Sequence, residues 1–202
     1  MLCLNIKTLL WLVCIFHSLP LQPFKMSHDM ERVKNLLRVI PDFPKEGIQF
    51  QDIFPVFQDP LAVEAVISNF VQHILANNAK NVDVVVGLDA RGFLFGPMIA
   101  LRLGASFVPV RKAGKLPGEN IKAIYEKEYG TDEFEMSVGA IKSGDNVVIV
   151  DDLIATGGSA FAAGELVTKS GGNILEYLFM IELEELNGAK ALNAPVYSLL
   201  KF

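Results

Sequence analysis

Residues 147–159 read VVIVDDLIATGGS, and this stretch decides the fold. Val147, Val148, Ile149 and Val150 form an unbroken β-branched run, the pattern of a strand buried on both faces of a parallel sheet. Two carboxylates, Asp151 and Asp152, follow at once. A turn rich in glycine and hydroxyl groups then leads into a helical pattern over Gly158–Ser170. A second apolar run, Asn173–Ile181, comes next. Upstream, Val82–Leu88 and Ser106–Val110 are further runs of strand length, with a helical pattern over Phe93–Leu103 between them. Strand alternating with helix predicts βαβ units, hence an α/β fold with an open, mainly parallel twisted sheet flanked by helices.

Two segments break this rhythm. Residues 111–137 are rich in Gly, Lys, Glu and Tyr with weak periodicity, and read as a long loop of the lid type. Near the start of the body, Ser27 is placed to cap a helix through Arg38, with Val33, Leu36, Leu37 and Ile40 at helical spacing. Gly47 opens an extended stretch, Ile48–Ile53. Asp59 and Pro60 then form an N-cap and first-turn proline for a helix reaching about Ala79.

The chain has 202 residues, 51% hydrophobic, with a formal charge of −5 and two cysteines. An acidic balance argues against a general nucleic-acid binder, whose footprint is basic. The apolar fraction excludes a disordered chain, and two cysteines offer neither a disulfide framework nor a thiol zinc site. Both cysteines and the only tryptophan, Trp11, lie in the first 25 residues. There the run Leu9–Phe16 follows Lys7 and is broken by Pro20 and Pro23, too short for the ~20 residues that cross a bilayer. Residues 1–25 therefore read as an apolar leader outside the fold, either a targeting segment or an extension ahead of a start at Met26. Residues 26–202 read as one domain with no membrane segment. They hold no cysteine and 16 basic against 23 acidic side chains, compatible with a reducing cytoplasm.

The chemistry concentrates after Val150. Ligands of open α/β sheets bind outside the carboxyl ends of strands. Gly157 and Gly158 let backbone approach a phosphate, and free N–H groups at the helix start face that anion. Ala155, Thr156 and Ser159 complete the turn, two of them with hydroxyl donors. Asp151 and Asp152 would repel the phosphate. They suit ribose hydroxyls, or Mg²⁺ held partly through water. The segment reads as a ribose-5-phosphate cradle with acids on the sugar side. It is neither a Walker A loop nor a G-x-G-x-x-G turn.

These residues resemble the 5-phosphoribosyl-1-pyrophosphate (PRPP) motif of type I phosphoribosyltransferases. PDFP at 41–44 with Gly47 and Phe50, GLDARGFLFGP at 87–97, RKAGKLPG at 111–118 and YEKEYG at 125–130 point to the adenine-using branch of that family. The resemblance covers about residues 30–202. It implies a small N-terminal hood that binds the base, a flexible lid, a homodimer and Mg²⁺-dependent formation of AMP and pyrophosphate from adenine and PRPP.

It also implies roles for particular residues. Asp89, Ala90 and Arg91, with a cis peptide between the first two, would meet the pyrophosphate together with Arg111, Lys112 and Lys115. One of these basic groups would reach a neighbouring subunit, although a solvated charged loop is the plain alternative for 111–115. Phe50 and Leu183 would sandwich adenine, while Ile48, Gln49 and Gln51 would read its edge. Arg91 and Lys112 would stabilise charge on the leaving group. Glu128, on the lid with Tyr125 and Tyr129, would act as general acid–base, with Glu126 as competitor. Where the hypoxanthine-guanine branch carries an aspartate in the phosphate loop, this chain has Ala155. Two departures stand out: Gln51 replaces a common arginine and Ala90 a common serine. A PRPP-binding regulator without turnover, or a transferase for another base, would share the cradle.

Overall fold

The computed structural model describes residues 26–202 apart from 79, 128 and 129. Helix α1 spans Met26–Leu36. Strands β1 (Arg38–Pro41) and β2 (Gln49–Asp52) pair antiparallel as a separate two-stranded sheet, with Ile40 opposite Phe50. The expected hood is this ribbon. Asp52 anchors its base: it pairs with Arg38 at 2.5 Å and accepts the Phe54 N–H at 3.0 Å. The Phe54 hydrogen bond and Arg38 together hold its carboxyl below the ordinary range, against the effect of burial.

A short helix, α2 (Phe54–Phe57), leads to α3 (Pro60–Asn77). Asp59 caps α3 as the sequence predicts, accepting from the N–H groups of Leu61 and Ala62. Strand β3 (Val84–Leu88) follows, then a 3₁₀ turn at Arg91–Leu94 and helix α4 (Gly96–Leu103). The helix expected over Phe93–Leu103 is thus divided, with Pro97 in the first turn of α4. Next come β4 (Ser106–Lys112), β5 (Asn120–Lys127), β6 (Gly130–Ser137), β7 (Asn146–Ile154), α5 (Gly158–Lys169), β8 (Asn173–Glu182) and β9 (Val196–Lys201).

The main sheet has the order β5-β6-β4-β3-β7-β8-β9. Five strands, β4 to β9 in that order without the hairpin, are mutually parallel. Alternation splits their side chains between two cores. Val84, Val86, Val147, Ile149, Tyr177 and Phe179 face one core with α5. Val85, Val148, Val150, Leu178 and Met180 face the other with α3 and α4. Full burial of each such side chain is worth about 1.5–3 kcal/mol, so both faces need their helices.

The reading of 111–137 as a long loop needs correction. Asn120–Lys127 and Gly130–Ser137 form an antiparallel hairpin that joins the edge of the sheet through β4. Ile121 pairs with Met136 and Ala123 with Phe134, and this apolar set packs into the core that α5 covers. Lys122, Glu133 and Glu135 take the other face. The polar half of the alternation masked a two-residue period spread over two short strands. Strand β9 was also not anticipated. Among the described residues no helix is long and apolar enough to cross a membrane. The leader, Glu128 and Tyr129 lie outside the described residues.

Candidate active site

The sheet reverses its direction of growth between β3 and β7, and open α/β sheets bind ligands at such switch points. Strand β3 pairs with β7 only as far as Val150. Beyond that point β7 continues against β8 alone, with Asp151 opposite Phe179 and Leu153 opposite Ile181. Asp151 and Asp152 therefore lie within the strand, not past its end as the sequence suggests, on a stretch whose other side has been vacated. A cleft of about 350 Å³ opens there. Its lining includes Asp89, Ala90, Arg91, Lys112, Tyr125, Asp151, Asp152 and the whole turn from Ala155 to Ser159.

The turn ends on Gly157, which has φ +86° and serves as N-cap of α5 without any side-chain cap. Its left-handed backbone favours glycine, and the first N–H groups of the helix are left for an outside acceptor. Burial pushes the Asp151 carboxyl well above the ordinary range, and the charge of Asp152 pushes the same way. Asp152 is raised by burial and drawn back by Arg91. Arg91 Nε stands 3.0 Å from Asp152 Oδ2, close enough for charge attraction. Its angle falls outside hydrogen-bond geometry, so that buried oxygen has no hydrogen-bond partner. One guanidinium beside two adjacent carboxylates, one half-buried and one buried, leaves negative charge uncompensated.

That orphaned oxygen fits a hard cation or a hydroxyl donor. No group of three or more Asp, Glu, His or Cys that could hold a metal by itself occurs among the described residues. A cation here would take its remaining oxygens from ligand and water, the usual manner of Mg²⁺.

The basic residues divide by strand alternation. On β4, Lys112 shares the face of Val108 and Val110, sits opposite Phe134 and enters the cleft. It lies 3.9 Å from Asp132, which also accepts the Tyr125 hydroxyl at 3.2 Å. Arg111 takes the other face, pairs with Asp89 at 3.1 Å and lies over the Phe93 ring. Neither Arg111 nor Lys115 lines the cleft of its own chain. The Asp89–Ala90 peptide is cis.

Of the residues assigned to the base, Phe50 is edge-on to Phe43, and the Arg91 guanidinium lies 5.5 Å from its ring centre. The hood thus meets the cleft at Arg91. Gln51 is 8% exposed and its buried Oε1 has no hydrogen-bond partner, whereas Ile48 and Gln49 are exposed. Leu183 follows β8 and donates its N–H to the Ile154 carbonyl, beside the phosphate turn. Sequence reasoning missed Gly188, whose backbone packs directly on the turn at Ala155–Gly157, and Glu135, which shapes the turn after β4. An Asn-Gly pair at 187–188 signals only a bend.

Fold and cleft together define a phosphoribosyltransferase: a switch-point turn for a sugar phosphate, with an acid pair and basic groups around it. The phosphoribosyl transferase domain model matches residues 56–200. Adenine phosphoribosyltransferase of Yarrowia lipolytica is 55% identical over 169 residues, covering 83% of this chain and 93% of the relative. Adenine phosphoribosyltransferase 1 of Saccharomyces cerevisiae is 55% identical over 171 residues, covering 84% and 91%. A crystal structure of the S. cerevisiae enzyme, complexed with D-2,5-dideoxy-2,5-imino-altritol 1,6-bisphosphate and adenine, superimposes with a TM-score of 0.84 at 54% identity. It covers 86% of this chain and 99% of its own. The chain belongs to the adenine phosphoribosyltransferases.

Proposed function

We propose that this chain transfers the 5-phosphoribosyl group of PRPP to adenine, yielding AMP and pyrophosphate, as a purine salvage enzyme of the cytoplasm whose working unit is residues 26–202. The observation that carries the reading is the uncapped start of α5 at Gly157, beside a half-buried carboxylate, Asp151, and a buried one, Asp152, that has an unpartnered oxygen. A 5′-phosphate suits the free N–H groups, and ribose hydroxyls or a cation suit the carboxylates. A sugar bisphosphate and adenine are named in the S. cerevisiae complex.

A ring nitrogen of adenine attacks the anomeric carbon, and the bond to pyrophosphate breaks with its electron pair leaving on oxygen. The sugar passes through an oxocarbenium-like state while negative charge gathers on the leaving group. Arg91 and Lys112, which line the cleft, are placed to meet that charge. Mg²⁺ held at Asp151 and Asp152 would add further compensation for the pyrophosphate. Phe50 and Leu183 would clasp the base. The unmet buried oxygen of Gln51 suits an N–H donor on the base edge, an acceptor role that an arginine side chain could not play. Glu128, which in the sequence falls between the two strands of the β5–β6 hairpin, would take the proton that adenine gives up. Closure of that hairpin would exclude water as a rival nucleophile. Arg111 and Lys115, neither of which lines the cleft of its own chain, suit a homodimer in which one of them serves the neighbouring site.

The test incubates the protein with PRPP, Mg²⁺ and each purine base in turn and follows pyrophosphate release. Turnover with adenine and not with guanine or hypoxanthine is expected. PRPP binding without turnover on any base would favour a regulator and overturn the reading.

A further inference from the structure

Glu135 is charged, 3% exposed, and has no task in the transfer chemistry. It stands on β6 directly opposite Arg111 of β4. Its Oε1 accepts two backbone N–H groups, from Lys115 and Leu116, both at 2.7 Å. These bonds, that of Leu116 first, hold the carboxyl below the ordinary range although burial opposes it. Lys122 draws it further down and itself pairs with Glu133 at 2.9 Å, while Arg111 stands opposite it across the strand pair. The turn that Glu135 gathers then acts on Arg111. The Lys115 carbonyl accepts from Arg111 Nη1 at 3.2 Å, while Arg111 Nε donates to Asp89 at 3.1 Å. One guanidinium is thus held at two corners, by an acid of the loop after β3 and by a peptide that Glu135 sets in place.

We propose that Glu135 is a positioning residue for the pyrophosphate side of the reaction: its carboxylate folds the 113–116 turn and so aims Arg111 and Lys115. The proposal rests on the reading of those two residues as pyrophosphate ligands. Since the carboxylate already takes the Lys115 and Leu116 N–H groups, pyrophosphate is met there by side chains and not by those amides. Loss of Glu135 strands the two N–H groups in a part-buried setting, which the turn relieves by opening to water. AMP carries no pyrophosphate and is indifferent to the change.

The full chain is assayed in the reverse direction, AMP plus pyrophosphate, as Glu135→Ala, Glu135→Gln and Arg111→Ala. Glu135→Ala is expected to raise KM for pyrophosphate about tenfold while KM for AMP stays within about twofold. Glu135→Gln, whose amide oxygen accepts the same two N–H groups without charge, is expected to restore most of the loss. Equal effects on both substrates would mark Glu135 as merely structural and overturn the proposal, as would no effect on either or a Gln variant no better than Ala. If the Ala variant does not fold, Glu135→Gln decides alone. A rise of about twofold to threefold confined to pyrophosphate supports the proposal, and its absence overturns it. If Arg111→Ala raises KM for pyrophosphate and neither Glu135 variant does, the proposal alone falls. If Arg111→Ala leaves pyrophosphate untouched, the pyrophosphate reading falls and takes the proposal with it.

Discussion

A methyl group on Gly188 would lie 2.2 Å from the Ala155 carbonyl oxygen. It would also stand 2.8 Å from the Gly157 nitrogen. The segment between β8 and β9 therefore forms the floor under the phosphate turn. Backbone on both sides leaves no flexible side chain to yield, so an added carbon must displace the turn. Gly188→Ala is expected to weaken AMP binding by about tenfold or more, equivalent to ~1–3 kcal/mol of overpacking, while KM for pyrophosphate holds. Calorimetric titration with AMP, set beside pyrophosphate kinetics, checks this. AMP affinity equal to wild type would remove Gly188 from the support of the turn.

Asp151 is half-buried beside a second carboxylate, and desolvation together with that neighbouring charge raises its carboxyl well above the ordinary range. An acid raised in the folded state costs stability above its folded pKa. That cost vanishes as pH falls through the raised value towards the ordinary carboxylate range, because the folded protein then takes up the proton first. Asp151→Asn keeps an oxygen to accept the Asp152 N–H and deletes the charge. The ligand-free variant is expected to melt higher than wild type at pH 8, by about 2–4 °C per kcal/mol gained. The gap should close as pH drops towards 4, and PRPP turnover should be largely lost. A variant that melts lower than wild type at pH 8 would contradict the burial argument.

Glu128 carries the proposed proton transfer. Glu128→Gln should lower kcat by about 10²–10⁴-fold with little change in KM for PRPP. Stopped-flow measurement of the chemical step separates this from slower product release. An effect on KM alone would move the acid–base role elsewhere, with Glu126 the first candidate.

Far from the cleft, Glu176 is buried at the amino end of β8, opposite Val148. It receives His73 Nε2 at 2.8 Å and Asn78 Nδ2 at 2.6 Å, and the His73 ring stacks on Tyr197 at 3.5 Å. This cluster ties the end of α3 to the sheet. Glu176→Ala should cost about 1–3 kcal/mol by leaving two part-buried donors unmatched. Activity per folded molecule should not change. Thermal melts and active-site-normalised rates distinguish this outcome from a catalytic effect.

How much of this was legible beforehand depends on the range over which each feature is decided. The run Val147–Val150 announces a doubly buried strand because burial on both faces removes the polar alternation within the run itself. Asp59 with Pro60 announces the start of α3 for a similarly local reason. The hairpin β5–β6 did not show, because each of its strands is half polar and only pairing with the other gives the apolar half a place to pack. Lys112 and Arg111 are neighbours in the chain and in sequence form one basic cluster. The pleat of β4 sends them to opposite faces, and only a strand assignment that reaches Lys112 reveals it. Glu135 looked like one acid among several, until the turn around Lys115 folded back onto it.

The sequence by itself determined the parallel α/β class, the sugar-phosphate turn after Val150 and the acid pair beside it. Each of these is written in consecutive residues, whose spacing and side-chain chemistry fix conformation over a few positions. Tertiary structure alone decided how deeply Asp151 and Asp152 are buried, which basic groups face the cleft, that Gly188 underlies the phosphate turn and that Glu135 gathers the turn after β4. Those properties arise where segments distant along the chain come into contact, and the burial, electrostatics and close packing of such contacts exist only once the sheet has assembled.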